Sequence, residues 1–258
     1  MERLSANTAP QGITSSALRV WGLLFLALGI VGRGIIQTHI LGIGQLSPQQ
    51  LLEAMTASRM TMILVTVSLV LQAMETCAAP IFAWLLVSGV EHTSDFWKYV
   101  LRVLGLAVLS ELPYNLAIGG QLLSVESRNP VFALALGMIM LYFYRRYAGK
   151  ALGLTLIRLV VTVAGILWGQ MLKVDFGAPM VLMIAVLWGF RKKPLYRNFA
   201  GAAASVVCTL FSPFFLAAPM GFLAVHFYNG EKGDSSPVVN YLAYPMLLLA
   251  AALVGILT

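Results

Sequence analysis

Residues 60–90, MTMILVTVSLVLQAMETCAAPIFAWLLVSGV, hold a single charged side chain, Glu75, in 31 positions. As one straight α-helix at 1.5 Å per residue, the run would reach about 46 Å, against a bilayer hydrocarbon core of roughly 30 Å. It reads as a membrane span that must tilt, bend or break. Cys77-Ala78-Ala79-Pro80 is the expected break, because proline has no backbone N–H to donate and its ring crowds the preceding turn. The whole chain agrees. Of 258 residues, 59% are hydrophobic and 10% charged, whereas soluble domains carry roughly 25% charged residues. Mean hydropathy is +0.85. So little charge cannot coat a water-facing surface, which excludes a soluble enzyme or a soluble binding module.

Working outward, apolar runs cover 17–43 (interrupted by Arg33), 96–118, 130–144, 151–172, 176–190 and 238–257. Residues 47–59 are polar and helix-compatible, with Ser47-Pro48 as a start signal. Residues 198–227 contain Ser212-Pro213 and Pro219; the stretch is too long for one span and short for two, so two short or half-spanning helices are expected. The fold class is all-α, a polytopic membrane bundle of eight or nine transmembrane or half-spanning helices. Residues 1–16 form a polar N-terminal tail with no cleavable signal, and 17–258 form one multi-pass membrane domain. Cys77 and Cys208 both lie in apolar runs and read as packing residues. No histidine or cysteine pair has metal-ligand spacing, so no metal is expected. No internal repeat is visible, which gives an inverted-repeat transporter no support.

Net charge is +7, and from 127 to 230 ten Lys or Arg stand against the single acid Asp175. Arg145, Arg146 and Lys150 form one basic knot; Arg191, Lys192, Lys193 and Arg197 form another. Short basic loops between spans are retained in the cytoplasm. This places the N-terminus in the cytoplasm and the loops at 44–59 and 119–129 on the far side, and it accounts for the charge with the lipid bilayer as partner and no nucleic acid. The same arginines would also suit the phosphates of a nucleotide-bearing donor.

Ionisable groups at membrane depth cost about 2.5 kcal/mol or more on insertion scales. Glu75 and Glu111 are the two such acids. Glu111 shares a helical face with Asn115, with Pro113 between them. A carboxylate in a dry site suits a general base; alternatively, the two acids pair with Arg33, Arg102 or Arg158 and hold helices together. His39 at the outer end of the first span is either a base or an interfacial hydrogen-bonding residue.

Specific strings narrow the reading. Residues 79–94, APIFAWLLVSGVEHTS, are followed by Tyr99, Arg102 and Ser110-Glu111-Leu112-Pro113-Tyr114-Asn115. Asn129-Pro130-Val131-Phe132, Asp175-Phe176-Gly177 and Asn229-Gly230-Glu231-Lys232-Gly233 come next. In this order and spacing, from residue 79 onward, they resemble the TraX family of membrane proteins. The resemblance implies a bacterial inner-membrane protein that transfers an acetyl group from acetyl-CoA, as co-substrate, to an amine acceptor such as a protein N-terminus or a small amine. The catalytic candidates are then Glu111, Glu75 and His39. Asn115, Asn129, Asp175 and Asn229 are the substrate-binding candidates, and Arg145, Arg146, Arg191 and Lys192 would hold the donor. Family members carry an Asp-His pair in the first span; here the corresponding stretch is Ala27-Leu28-Gly29-Ile30-Val31-Gly32, so His39 or Glu111 would stand in. The alternative is a non-enzymatic carrier, channel or scaffold that keeps the fold without that chemistry.

Overall fold

A computed structural model describes residues 12–149, 151–234 and 236–257. Most of the polar N-terminal tail, and Lys150 of the first basic knot, lie outside the described residues. The architecture is an all-α bundle; among the described residues β-pairing is confined to two isolated bridges, Ile13 with Tyr228 and Arg128 with Val174.

Helix α1, Ser15–Gly29, continues directly as an 11-residue π-helix, Ile30–Ile40. Helix α2, Pro48–Ala57, is capped by Ser47 and Gln50 in a reciprocal capping box. It leads into α3, Arg59–Glu75, and α4, Ala78–His92. Helices α5 (Phe96–Gly119), α6 (Val131–Arg146), α7 (Leu152–Met171) and α8 (Gly177–Phe190) then run up and down. Four helical segments are long and apolar enough to cross a membrane: Ser15–Ile40, Arg59–His92, Phe96–Gly119 and Leu152–Met171. Helix α8 supplies the centre, burying Val181, Met183, Ile184 and Leu187, whereas α7 buries only Thr162 and Gly169 and turns most of its apolar surface outward.

The expected break in the 60–90 run falls at Thr76-Cys77. Pro80 has no N–H for the Thr76 carbonyl, which instead accepts from the Ala79 N–H at 3.1 Å. Side chains at the break meet the 208–220 segment: Thr76 Oγ1, 2.7 Å from the Ala73 carbonyl oxygen, is also 3.0 Å from that of Phe214, and the Cys77 thiol donates to the Ala217 carbonyl at 3.2 Å. Cys77 therefore does more than pack.

That segment is the region where two half-helices were expected. Helix α9, Pro194–Val207, descends into the bundle, three short 3₁₀ turns follow between Cys208 and Met220, and α10, Gly221–His226, climbs back. Asn198 meets His226 at 3.1 Å, so the hairpin enters and leaves at the same end. Arg197, assigned above to a basic loop, is only 5% exposed; it stacks on Trp84 at 3.9 Å and donates to the Val225 carbonyl at 3.3 Å. Helix α11, Pro237–Leu257, then returns to the opposite end, where Gly255 lies against the His39 ring.

The basic loops, the Glu91 turn and the start of α1 thus share one end of the bundle. Arg191 pairs there with Glu91 at 3.4 Å, and the Ser15 N–H donates to the Glu231 carbonyl at 2.8 Å. The loops at 41–58, 120–130 and 172–176 share the other end.

Gly221 seats the re-entrant segment on the helix break: a Cβ there would fall 2.2 Å from the Cys77 carbonyl oxygen. Backbone on backbone cannot yield as a flexible side chain does. Gly221→Val is therefore expected to lower stability by about 3 kcal/mol or more, at the upper end of overpacking costs. The shift of the unfolding transition in detergent measures it.

Candidate functional site

Arg33 stands in the π-helix between Gly32 and Gly34. The missing side chains let this wide helix pass close to its neighbours: a Cβ on Gly32 would lie 2.8 Å from the Ser68 carbonyl oxygen, and one on Gly34 would lie 2.6 Å from that of Ala117. The π register turns Arg33 inward, and π-helical insertions are often found at functional sites. One guanidinium nitrogen of Arg33 donates to Glu75 at 2.7 Å and the other to Asp175 at 2.6 Å. The Tyr114 hydroxyl donates to the same Asp175 oxygen at 2.9 Å and lies 2.7 Å from Ser127 Oγ. Two carboxylates therefore share one cation, Glu75 from the buried end of α3 and Asp175 from the 172–176 loop.

Gly29 explains how Glu75 fits. A Cβ on Gly29 would fall 2.0 Å from the Glu75 carboxyl carbon. In the stretch where the resemblance implies an Asp-His pair, α1 leaves a gap and α3 fills it with an acid.

Asp175 is held by a loop clamp. The Arg128 N–H donates to the Lys173 carbonyl and the Asp175 N–H to the Arg128 carbonyl, both at 2.9 Å. Behind it, Glu111 binds Arg128 at 3.0 Å and the Asn129 side-chain amide at 2.7 Å. Lys173 (φ 51) and Phe176 (φ 58) are left-handed non-glycine residues in this one loop, a strained conformation that persists only where the surroundings enforce it.

Two cavities meet at Phe176. The deep one, about 620 Å³, opens at the basic end beside Arg19, Arg102 and Lys232. It runs between apolar walls to Leu26, Ala78, Met180 and Phe176. The shallower one, about 300 Å³, is lined by Arg33, Gln72, Glu75, Asp175, Ser212 and again Phe176, with Phe215 behind. The Phe176 and Phe215 rings meet edge to face, 5.4 Å between centroids. Tyr244, 5% exposed, lines the deep cavity and lies within electrostatic reach of Arg33, Glu75 and Asp175.

Residues 51–255 match the family described as TraX protein. The chain belongs to the TraX family. No curated protein and no solved structure matches it. The matched segment carries Glu75, Tyr114, Asp175, Phe176 and Tyr244, whereas Arg33 and His39 precede it.

In this TraX-family chain, the residues singled out from sequence separate into distinct places. Glu75 and Asp175 converge on Arg33. Glu111 and Asn129 sit next to them in the loop clamp and line neither cavity. Asn115 does not orient Glu111: it is 2% exposed, no described residue hydrogen-bonds its Oδ1, and its carbonyl accepts the Gly120 N–H that ends α5. His39 packs on Gly255 outside both cavities. Asn229 is at the basic end, where its side chain receives the Glu231 N–H at 2.9 Å.

None of the four proposed donor-binding cations lines either of these two cavities. Arg145 lies over Phe96 at 5.6 Å and Arg191 over Trp188 at 4.0 Å, while Arg146 and Lys192 are exposed outside the bundle. Sequence reasoning passed over Arg19 and Tyr244, and it quoted Tyr114, Phe176 and Lys232 only within the strings that carry the family resemblance, without a role in the site. Arg33 left a signal of its own, as the charge flanked by glycines inside an apolar run.

Proposed function

We propose that this TraX-family protein transfers an acetyl group from acetyl-CoA, entering at the basic end, to an amine arriving from the opposite end. The observation that carries the reading is the pair of cavities meeting beside Arg33, Glu75 and Asp175, one of them mouthed by three cations. Among the described residues, no carboxylate pairs with Arg19, Arg102 or Lys232, which leaves them available to phosphates. Depth supports the same reading. From Ser15 to Leu26, α1 rises about 16 Å along the cavity wall. The arm between the phosphates and the sulfur of coenzyme A has about thirteen bonds, and at ~1.2 Å per bond in an extended chain it also spans about 16 Å. The thioester then lies by Phe176. With the basic loops held in the cytoplasm of a bacterial inner membrane, the donor enters from the side where acetyl-CoA is made.

The amine nitrogen attacks the thioester carbonyl carbon, the new C–N bond replaces the C–S bond, and coenzyme A leaves as its thiolate. One proton leaves the nitrogen, and Glu75 takes it while Arg33 holds the carboxylate in place. Tyr244, which lines the deep cavity, donates to the carbonyl oxygen as it gains charge.

Acetyl-CoA binding to the protein in nanodiscs tests the donor site. The double variant Arg19→Gln/Arg102→Gln is expected to bind about tenfold or more weakly, because each charge-assisted hydrogen bond lost is worth about 1.5–3 kcal/mol. The double variant Arg145→Gln/Arg146→Gln should bind like the wild type. The reverse pattern would move the donor to the outer knots, and no binding by the wild type would end the acetyl-transfer reading. The break between α3 and α4 and the re-entrant α9–α10 hairpin favour a second reading, a carrier, since discontinuous helices line solute pathways in transporters. Solute flux in proteoliposomes without acetyl transfer would select it.

A further inference from the structure

We propose that Phe176 sets the length of the acyl group that this chain transfers. The inference rests on the acetyl-transfer reading and adds a specificity determinant to it. Phe176 lines both cavities, so it borders the deep one at the point the thioester reaches. Beyond it lie the open 300 Å³ of the second cavity and the carboxylates. An acetyl group ends at the ring; each further methylene would run into it.

Three features keep the ring there. Its backbone is left-handed (φ 58, ψ 10), so the side chain leaves the loop in a direction that an ordinary helix start would not provide. The next residue, Gly177, packs on Gly169 so closely that a Cβ would fall 2.8 Å from the Gly169 carbonyl oxygen, which fixes the loop against α7. On the far side Phe215, 2% exposed, backs the ring edge to face. The position of the ring is thus enforced by backbone geometry on one side and an aromatic brace on the other.

Phe176→Gly removes the ring and adopts the left-handed backbone without a Cβ clash, so it suits the test. Initial rates with acetyl-CoA, butyryl-CoA and hexanoyl-CoA are compared between wild type and variant in nanodiscs. One methylene in a tight apolar pocket discriminates by about 10–200-fold, so the butyryl-to-acetyl rate ratio is expected to rise about tenfold or more in Phe176→Gly. Phe215→Ala, which removes only the brace, should raise it less. If Phe176→Gly turns over no donor, displacement of bound acetyl-CoA by hexanoyl-CoA reads the same selectivity at equilibrium. An unchanged ratio, or unchanged displacement, in a variant whose wild type transfers acetyl overturns the assignment of Phe176. A wild type that neither binds nor consumes acetyl-CoA overturns the reading beneath it instead.

Discussion

Arg33→Met should destabilise the folded bundle by about 3–5 kcal/mol, the cost of leaving a buried charge without its partner. Glu75 has 4% of its side chain exposed and Asp175 20%, so water can relieve little of the repulsion once the guanidinium is gone. The expected readout is a large downward shift of the unfolding transition in detergent. Adding Glu75→Gln and Asp175→Asn to Arg33→Met removes both orphaned charges, and this triple variant should recover to within about 1 kcal/mol of wild type, since neutral replacement of a buried ionic group is often neutral or better. Failure of the triple variant to recover would mean that Arg33 acts through its shape and packing rather than its charge.

Glu75→Gln should slow acetyl transfer by about 10²–10⁴-fold, the usual contribution of a positioned general base. Acetyl-CoA affinity should change little, because the proposed phosphate site, at Arg19, Arg102 and Lys232, is at the other end of the deep cavity. Glu111→Gln provides the contrast. It loosens the Arg128 and Asn129 clamp, so it should cost about 1–3 kcal/mol of stability, and its transfer rate should follow the fraction folded. Equal losses of rate in the two variants, with both fully folded, would return Glu111 to the chemistry.

The two acids looked alike in sequence because each is a carboxylate inside an apolar helix near a proline. What separates them is the partner across the bundle. Glu75 faces Arg33, 42 positions away, through a gap left by Gly29. Glu111 faces a loop only 17 positions on. The same limit applies to the cations: the knots at 145–150 and 191–197 stand out by local density, whereas Arg19, Arg102 and Lys232 are scattered along the chain and meet only at the mouth of the deep cavity. Phe176 stood out only as part of the Asp175-Phe176-Gly177 string, since an aromatic residue at the start of an apolar run is commonplace at a membrane interface and nothing local gave it a role.

The all-α class, the break near Pro80, the interrupted 198–227 region and the clustering of basic loops all follow from the local arithmetic of apolar length, proline and charge. These properties act within a few helical turns, and a linear reading reaches them. The pairing of Arg33 with Glu75 and Asp175, the loop clamp, the two cavities and the ring between them depend on contacts between distant segments at separations of a few ångströms. Only the packed bundle sets those distances, because the energy of a buried charge depends on which neighbour stands beside it rather than on its place in the chain.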